Sequence, residues 1–221
     1  MEAWVLFILV MIASYIVQIV LSSRINKYSQ VATNLTGAQI AQMMLEANGI
    51  HDVSITCISG TLTDHYNPQT RTVNLSQDIY NGNNLAAAAI AAHECGHVIQ
   101  HATGYAPLKL RTAVVPLVSF ANKSVQWVLL LGILLLQITP AMLWLGIALF
   151  AITTVFSFIT LPVEINASQR AIAWLNTANI TDSTTTAYAH DALKWAAYTY
   201  VIAALGSLAT LLYYIGIARR N

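Results

Sequence analysis

The chain has 221 residues, of which 57% are hydrophobic and only 9% charged, with a formal net charge of +1. That balance is too apolar for an ordinary soluble domain. With no basic stripe interleaved with aromatics it also excludes a nucleic-acid-binding module, and two cysteines, Cys57 and Cys95, exclude a disulfide scaffold.

The elements follow in chain order. Residues 3–21 are almost uninterruptedly apolar, close to the roughly 20 residues that cross a bilayer as a helix. The stretch opens on Glu2 instead of a basic region, and no small-x-small cleavage site follows, so it reads as a retained helix and not as a signal peptide. Residues 35–48 carry apolar positions at helical spacing, with Thr36 as N-cap and Gly49 as C-cap. Residues 53–58 alternate with a period of two, as a strand does; 61–66 read as a second short strand and 71–75 as a third. Ser59-Gly60 and Asn67-Pro68-Gln69 supply turns, so a small antiparallel sheet is expected. Asn84 caps an alanine-rich helix that runs to His101 and ends at Thr103-Gly104. Two further apolar stretches, 114–138 and 140–161, are separated by little more than Thr139 and Pro140, which predicts a tight membrane hairpin. A helix over 164–179 follows, and another begins near Thr181-Asp182-Ser183 and continues into a fourth apolar stretch, 195–217.

The chain therefore reads as a mainly α membrane protein with about four transmembrane helices. Its expected organisation is a transmembrane helix in 1–21, a polar segment 22–111, a transmembrane hairpin in 112–161, a polar helical segment 162–194, and a transmembrane helix with its tail in 195–221. Four crossings place both termini on one side and gather both polar segments, as one small α+β domain, on the other. Arg24, Lys27, Lys109, Arg111, Arg170 and Lys194 lie in the polar segments, against Arg219 and Arg220 beside the C-terminus. The positive-inside bias thus puts the polar segments in the cytoplasm. Cys95 as a free thiol suits that reducing compartment.

The chemistry lies in the alanine-rich helix. His93-Glu94-Cys95-Gly96-His97 is an H-E-x-x-H motif. Residues four apart share a helical face, so two imidazoles there can grip one metal ion while the glutamate acts on a metal-bound water. The plain alternative is a pair of ordinary helix histidines.

A catalytic zinc takes three protein ligands and keeps one open position. An extended motif would need Gly and His at positions that hold Gln100 and Thr103, which closes that route. His101, eight residues after His93, is carried about 12 Å away along a straight helix, too far to share the ion. It suits a hydrogen-bonding or packing role. Any ligand from outside the first polar segment should come from the second, because topology joins them. Glu2 belongs on the other side; Glu46, Asp52, Asp64 and Asp78 read as surface residues; Glu164, Asp182 and Asp191 remain. Glu164 stands at the mouth of the third apolar stretch, where a carboxylate is costly unless partnered. A zinc ion would partner it; a helix N-terminal glutamate favoured by the dipole is the alternative.

At these residues the chain resembles a known family. Asp64-His65-Tyr66-Asn67-Pro68, Thr72 to Ser76, Asp78 to Gly82, Ala91 to His97 and Leu161 to Ser168 follow one another as in the YugP-like neutral zinc metallopeptidases of bacterial membranes, and the match continues through Thr199-Tyr200-Val201 to Tyr213-Tyr214. That family is similar to membrane gluzincins of the HtpX and CAAX-prenyl-protease type, which pair H-E-x-x-H with a glutamate in E-x-x-x-D. The resemblance implies that Glu164 is the third zinc ligand. Position 168 is Ser where the pattern has Asp, so the carboxylate that would orient a ligand histidine is absent or supplied elsewhere. It also implies a multi-pass protein of the bacterial inner membrane.

The expected function is peptide hydrolysis at Zn2+ held by His93, His97 and Glu164, with Glu94 as general base, on a peptide or membrane-protein substrate at the lipid bilayer. An oxyanion stabiliser is expected too; Arg170, His190 and Tyr198 are candidates among which the sequence does not choose. Gly96, costly in mid-helix, suits a close approach by the Glu164 helix or a merely tolerated small residue. Residues 70–75 are a candidate edge strand for substrate backbone. Two other classes compete. One is an intramembrane protease, for which the apolar run 85–92 is too short to span. The other is a non-catalytic zinc-binding sensor or scaffold, which would not need Glu94 and would be expected to fill the fourth position with Cys or His.

Overall fold

The computed structural model describes residues 3–220, with side chains from Val5 onward. Its elements are α1 (Ala3–Tyr28), α2 (Gly37–Ala47), β1 (Ser54–Ile58), β2 (His65–Asn67), β3 (Thr72–Ser76), α3 (Gln77–Asn81), α4 (Leu85–Ala102), α5 (Ala106–Leu134), α6 (Pro140–Thr177) and α7 (Ser183–Arg220). Four of the helices, α1, α5, α6 and α7, are long and apolar enough to cross a membrane. Glu2, set aside on topological grounds, lies outside the described residues.

The long helices outrun their apolar stretches. α1 continues to Tyr28, α5 starts at Ala106, and α6 runs without a break through Pro162 into the helix expected separately at 164–179. Proline costs an intrahelical bond, but long helices packed among others tolerate it. The start of α7 near Asp182 and its run through the fourth apolar stretch agree with expectation.

Contacts divide the chain into two units. One comprises α1 as far as Ile16, Lys109–Pro162 and the chain from Thr199. Within it α5 and α6 pack so closely that a Cβ on Gly132 would stand 2.6 Å from the Leu143 Cα. Small residues of this kind let membrane helices approach. Leu129, Leu143 and Ile147 form the buried centre, with Phe150 and Tyr214 packed against it, while Met11 and Leu134 point outward.

The other unit comprises Val17–Leu108 and Val163–Tyr198. Thr36 and Gln39 form a reciprocal capping box at the start of α2, which buries Ile40, Ala41, Met44 and Leu45 as one stripe. These pack with Val73 and Leu75 of β3, the alanines of α4, Ala171 and Leu175 of α6, and Ala189 and Leu193 of α7. Asn84 caps α4 through the Ala87 amide, as predicted.

The sheet departs from expectation. Its order is β1-β3-β2, with β1 parallel to β3 and only β2 antiparallel, so it is mixed. β3 has the most buried side chains of the three strands and takes the centre, paired on both sides. The second strand is His65–Asn67, not 61–66. Asp64, just before it, accepts from the Ser76 amide at 2.7 Å and from the Ser76 hydroxyl, which ties this turn to the end of β3. A short helix, α3, follows β3 where none was expected.

Candidate metal centre

α4 presents His93 and His97 one turn apart, their rings nearly perpendicular at a centroid distance of 4.9 Å. Glu164, near the middle of α6, brings Oε2 to 3.3 Å from His93 Nε2 and 3.5 Å from His97 Nε2. The three side chains can each offer a ligand atom, and these atoms lie within 4.8 Å of one another. Two imidazole nitrogens and one carboxylate oxygen are a donor set that suits zinc with one position left open. The cluster is also electrostatically prepared for a cation. Burial pushes the His97 pKa down, but the hydrogen bond to Glu164 and the charges of Glu94 and Glu164 outweigh it, and the net direction is up. The same carboxylate charges would favour a divalent cation, which displaces the proton when it binds.

Gly96 explains how the two helices come close enough. A Cβ there would stand 2.6 Å from the Ala167 carbonyl oxygen and 3.0 Å from its Cα, which no side chain can occupy. The helices therefore touch backbone to backbone three residues from Glu164. Gly96→Ala is expected to force α4 and α6 apart, at a cost of about 1–3 kcal/mol in overpacking. Zinc affinity should fall with it; an unchanged affinity in the folded variant would show that the close approach does not set the cluster.

The groups around the cluster are equally specific. His93 Nδ1 lies 3.1 Å from Ser168 Oγ, so the serine in place of the expected carboxylate does partner a histidine. His97 Nδ1 lies 3.1 Å from Gln100 Oε1. Gln100 Nε2 donates to the Val163 carbonyl at 2.7 Å and to Asn166 Oδ1 at 3.1 Å. Glu94 Oε2 accepts the Tyr66 amide of β2 at 3.1 Å. His101 hydrogen-bonds the Tyr66 hydroxyl at 3.0 Å, in keeping with the role expected of it.

The remaining described carboxylates are engaged elsewhere or lie apart. Asp52 pairs with Arg71, Asp64 with Ser76, Asp182 with Thr185, and Asp191 with Arg24 and Tyr28. Glu46 hydrogen-bonds Gln42, and Asp78 sits in the first turn of α3. Cys95 is buried, its thiol turned to the Ala41 carbonyl, and burial reinforced by the charge of Glu94 pushes its pKa up. It stays a neutral thiol. Of the three candidate oxyanion stabilisers, Arg170 donates to Asn166 at 2.8 Å and lies over the Tyr105 ring, Tyr198 packs edge-on against Trp195, and His190 is exposed on α7. The expectation that residues 70–75 form an edge strand is overturned, because β3 is central; the strand beside Glu94 is β2.

Sequence reading missed Gln100 and Tyr66. Gln100 carried a signal, since it stands three residues after His97 on the same helical face. Tyr66 carried none, because its contact is made by a backbone amide.

The chain is similar to proteins already known. It is 39% identical over 216 residues, 95% of either chain, to the protein named "Putative membrane protease YugP" of Bacillus subtilis (strain 168). No solved structure matches it. The family described as "Putative neutral zinc metallopeptidase" matches residues 3–219, and it is to this family that the chain belongs.

Proposed function

We propose that the protein is a membrane-bound zinc endopeptidase whose metal is held by His93, His97 and Glu164. The observation that carries this reading is the convergence of the three donor atoms beside the intact Glu94 carboxylate. Bound there, zinc would polarise the scissile carbonyl and lower the pKa of a water. Glu94 takes the proton of the attacking water and returns it to the leaving amine, and the Tyr66 amide holds that carboxylate in place. Substrate backbone would run along the outer edge of β2, where the same strand that steadies Glu94 can orient it by strand addition. The division of labour follows the segments: 22–111 and 162–194 form the peptidase part, and 1–21, 112–161 and 195–221 hold it at the bilayer.

The test is metal dependence. A chelator should abolish cleavage of casein by the purified protein in detergent or bilayers, and zinc should restore it. Activity that survives complete removal of metal would overturn the reading.

Arg24, Lys27, Lys109, Arg111, Arg170 and Lys194, against Arg219 and Arg220 beside the C-terminus, support a cytoplasmic peptidase part. A reporter fused after Asn221 is therefore expected to report the opposite, extracytoplasmic side. A cytoplasmic reporter would reverse the orientation and leave the metal centre untouched, since both ligand segments stay together either way.

A further inference from the structure

The ring nitrogens that face away from Glu164 are His93 Nδ1 and His97 Nδ1, and their partners differ in kind. Gln100 is fully buried, at 0% exposure. One end of its amide faces the Val163 carbonyl at 2.7 Å. A carbonyl only accepts, so that end must be the nitrogen. Asn166 fixes the same choice independently. The Arg170 guanidinium only donates, so the atom 2.8 Å from Arg170 Nε is the Asn166 oxygen, and that oxygen lies 3.1 Å from the Gln100 nitrogen. With its nitrogen committed to these two acceptors, Gln100 can offer only its oxygen to His97. An oxygen without a hydrogen can only accept. His97 Nδ1 must therefore be a donor, and once a metal takes the place of the proton that Nε2 shares with the Glu164 carboxylate, 3.5 Å away, Nε2 is the nitrogen that offers its lone pair.

Resting on the zinc-site reading above, we propose that Gln100, itself oriented by Val163, Asn166 and Arg170, is the positioning residue that locks His97 in its metal-binding tautomer and ties the Glu164 turn of α6 to α4. Val163 and Asn166 flank Glu164 in sequence, so one amide sets both the ring state of one ligand and the position of another. Ser168 cannot do the same for His93, because a hydroxyl donates or accepts with equal ease and leaves the tautomer open. The fixed orienting contact is thus made at His97, by an amide, and not at His93. Arg170 enters this relay as a positioning residue, its guanidinium turned to Asn166 and Tyr105.

The experiment uses the full-length protein with 15N-labelled histidines in lipid bilayers. Nitrogen and proton shifts are read with zinc bound and again without it, and zinc affinity is measured by competition with a chromophoric chelator. In wild type, His97 Nδ1 is expected as a hydrogen-bonded N–H in both states, with zinc bound through Nε2. Gln100→Met should move that Nδ1–H signal toward that of an unpartnered imidazole and weaken zinc binding by about 10–100-fold. A wild-type His97 whose Nδ1 carries no proton, or that binds zinc through Nδ1, overturns the proposal without recourse to any variant. So does a Gln100→Met protein with wild-type circular dichroism, Nδ1–H signal and affinity. A wild-type protein that binds no zinc would instead fell the peptidase reading, and the metal-free Nδ1–H signal would still decide this one.

Discussion

Replacing Glu94 by glutamine is expected to leave zinc bound and to lower peptide hydrolysis by about 10²–10⁴. Glutamine keeps the size of the side chain and an oxygen that can still accept the Tyr66 amide, so β2 and α4 stay as they are. What it loses is the capacity to take up a proton. Glu94 is outside the donor cluster of His93, His97 and Glu164, so metal content should not change. The measurement pairs zinc analysis with the rate of casein cleavage in matched preparations of wild type and variant. A variant that cleaves as fast as wild type would show that the hydrolysis arises elsewhere. A chain that binds zinc at this site and cleaves nothing in either form would be better read as a zinc-binding sensor or scaffold.

Removing Glu164 should act on the other half of the chemistry. Wild type is expected to hold about one zinc per chain and Glu164→Ala close to none. Glu164 is 3% exposed, with Oε2 within 3.5 Å of both candidate ligand histidines, so its loss would remove one of three candidate ligands and the buried negative charge that favours a cation there. Glu164→Gln should fall between the two, since an amide oxygen of the same shape is a weaker, uncharged donor. Full zinc occupancy in Glu164→Ala would take Glu164 out of the site. Together the two variants separate holding the metal from using it: one should lose metal and activity alike, the other activity alone.

Much of the local structure was legible because it rests on local physics. The Thr36 and Asn84 caps, the alanine-rich helix and the start of α7 depend on residues within a few positions of one another, and each formed as expected. The sheet was misjudged for the opposite reason. Period-two alternation marks a strand but not its neighbours, and turn signals on either side of 61–66 suggested a meander. What put β3 between β1 and β2 is the burial of Val73 and Leu75 against α2 and α4, a non-local contact. The edge expected at 70–75 fell with that topology and moved to β2.

The sequence by itself determined which residue types meet at the candidate centre. Two histidines four apart on a helix must share a face, and a scarcity of carboxylates in the second polar segment left few partners, so His93, His97 and Glu164 were readable before any coordinates. Only the tertiary structure decided how closely the helices approach and what orients the rings. Gly96 against Ala167, Gln100 against Val163 and the Tyr66 amide against Glu94 join segments 28 to 71 residues apart. Two of these contacts end on a backbone carbonyl and the third begins at a backbone amide. Every residue carries those groups, so Gly96 and Gln100 could mark only their own side of a contact, and the partner is fixed only once packing has brought the helices and the strand together.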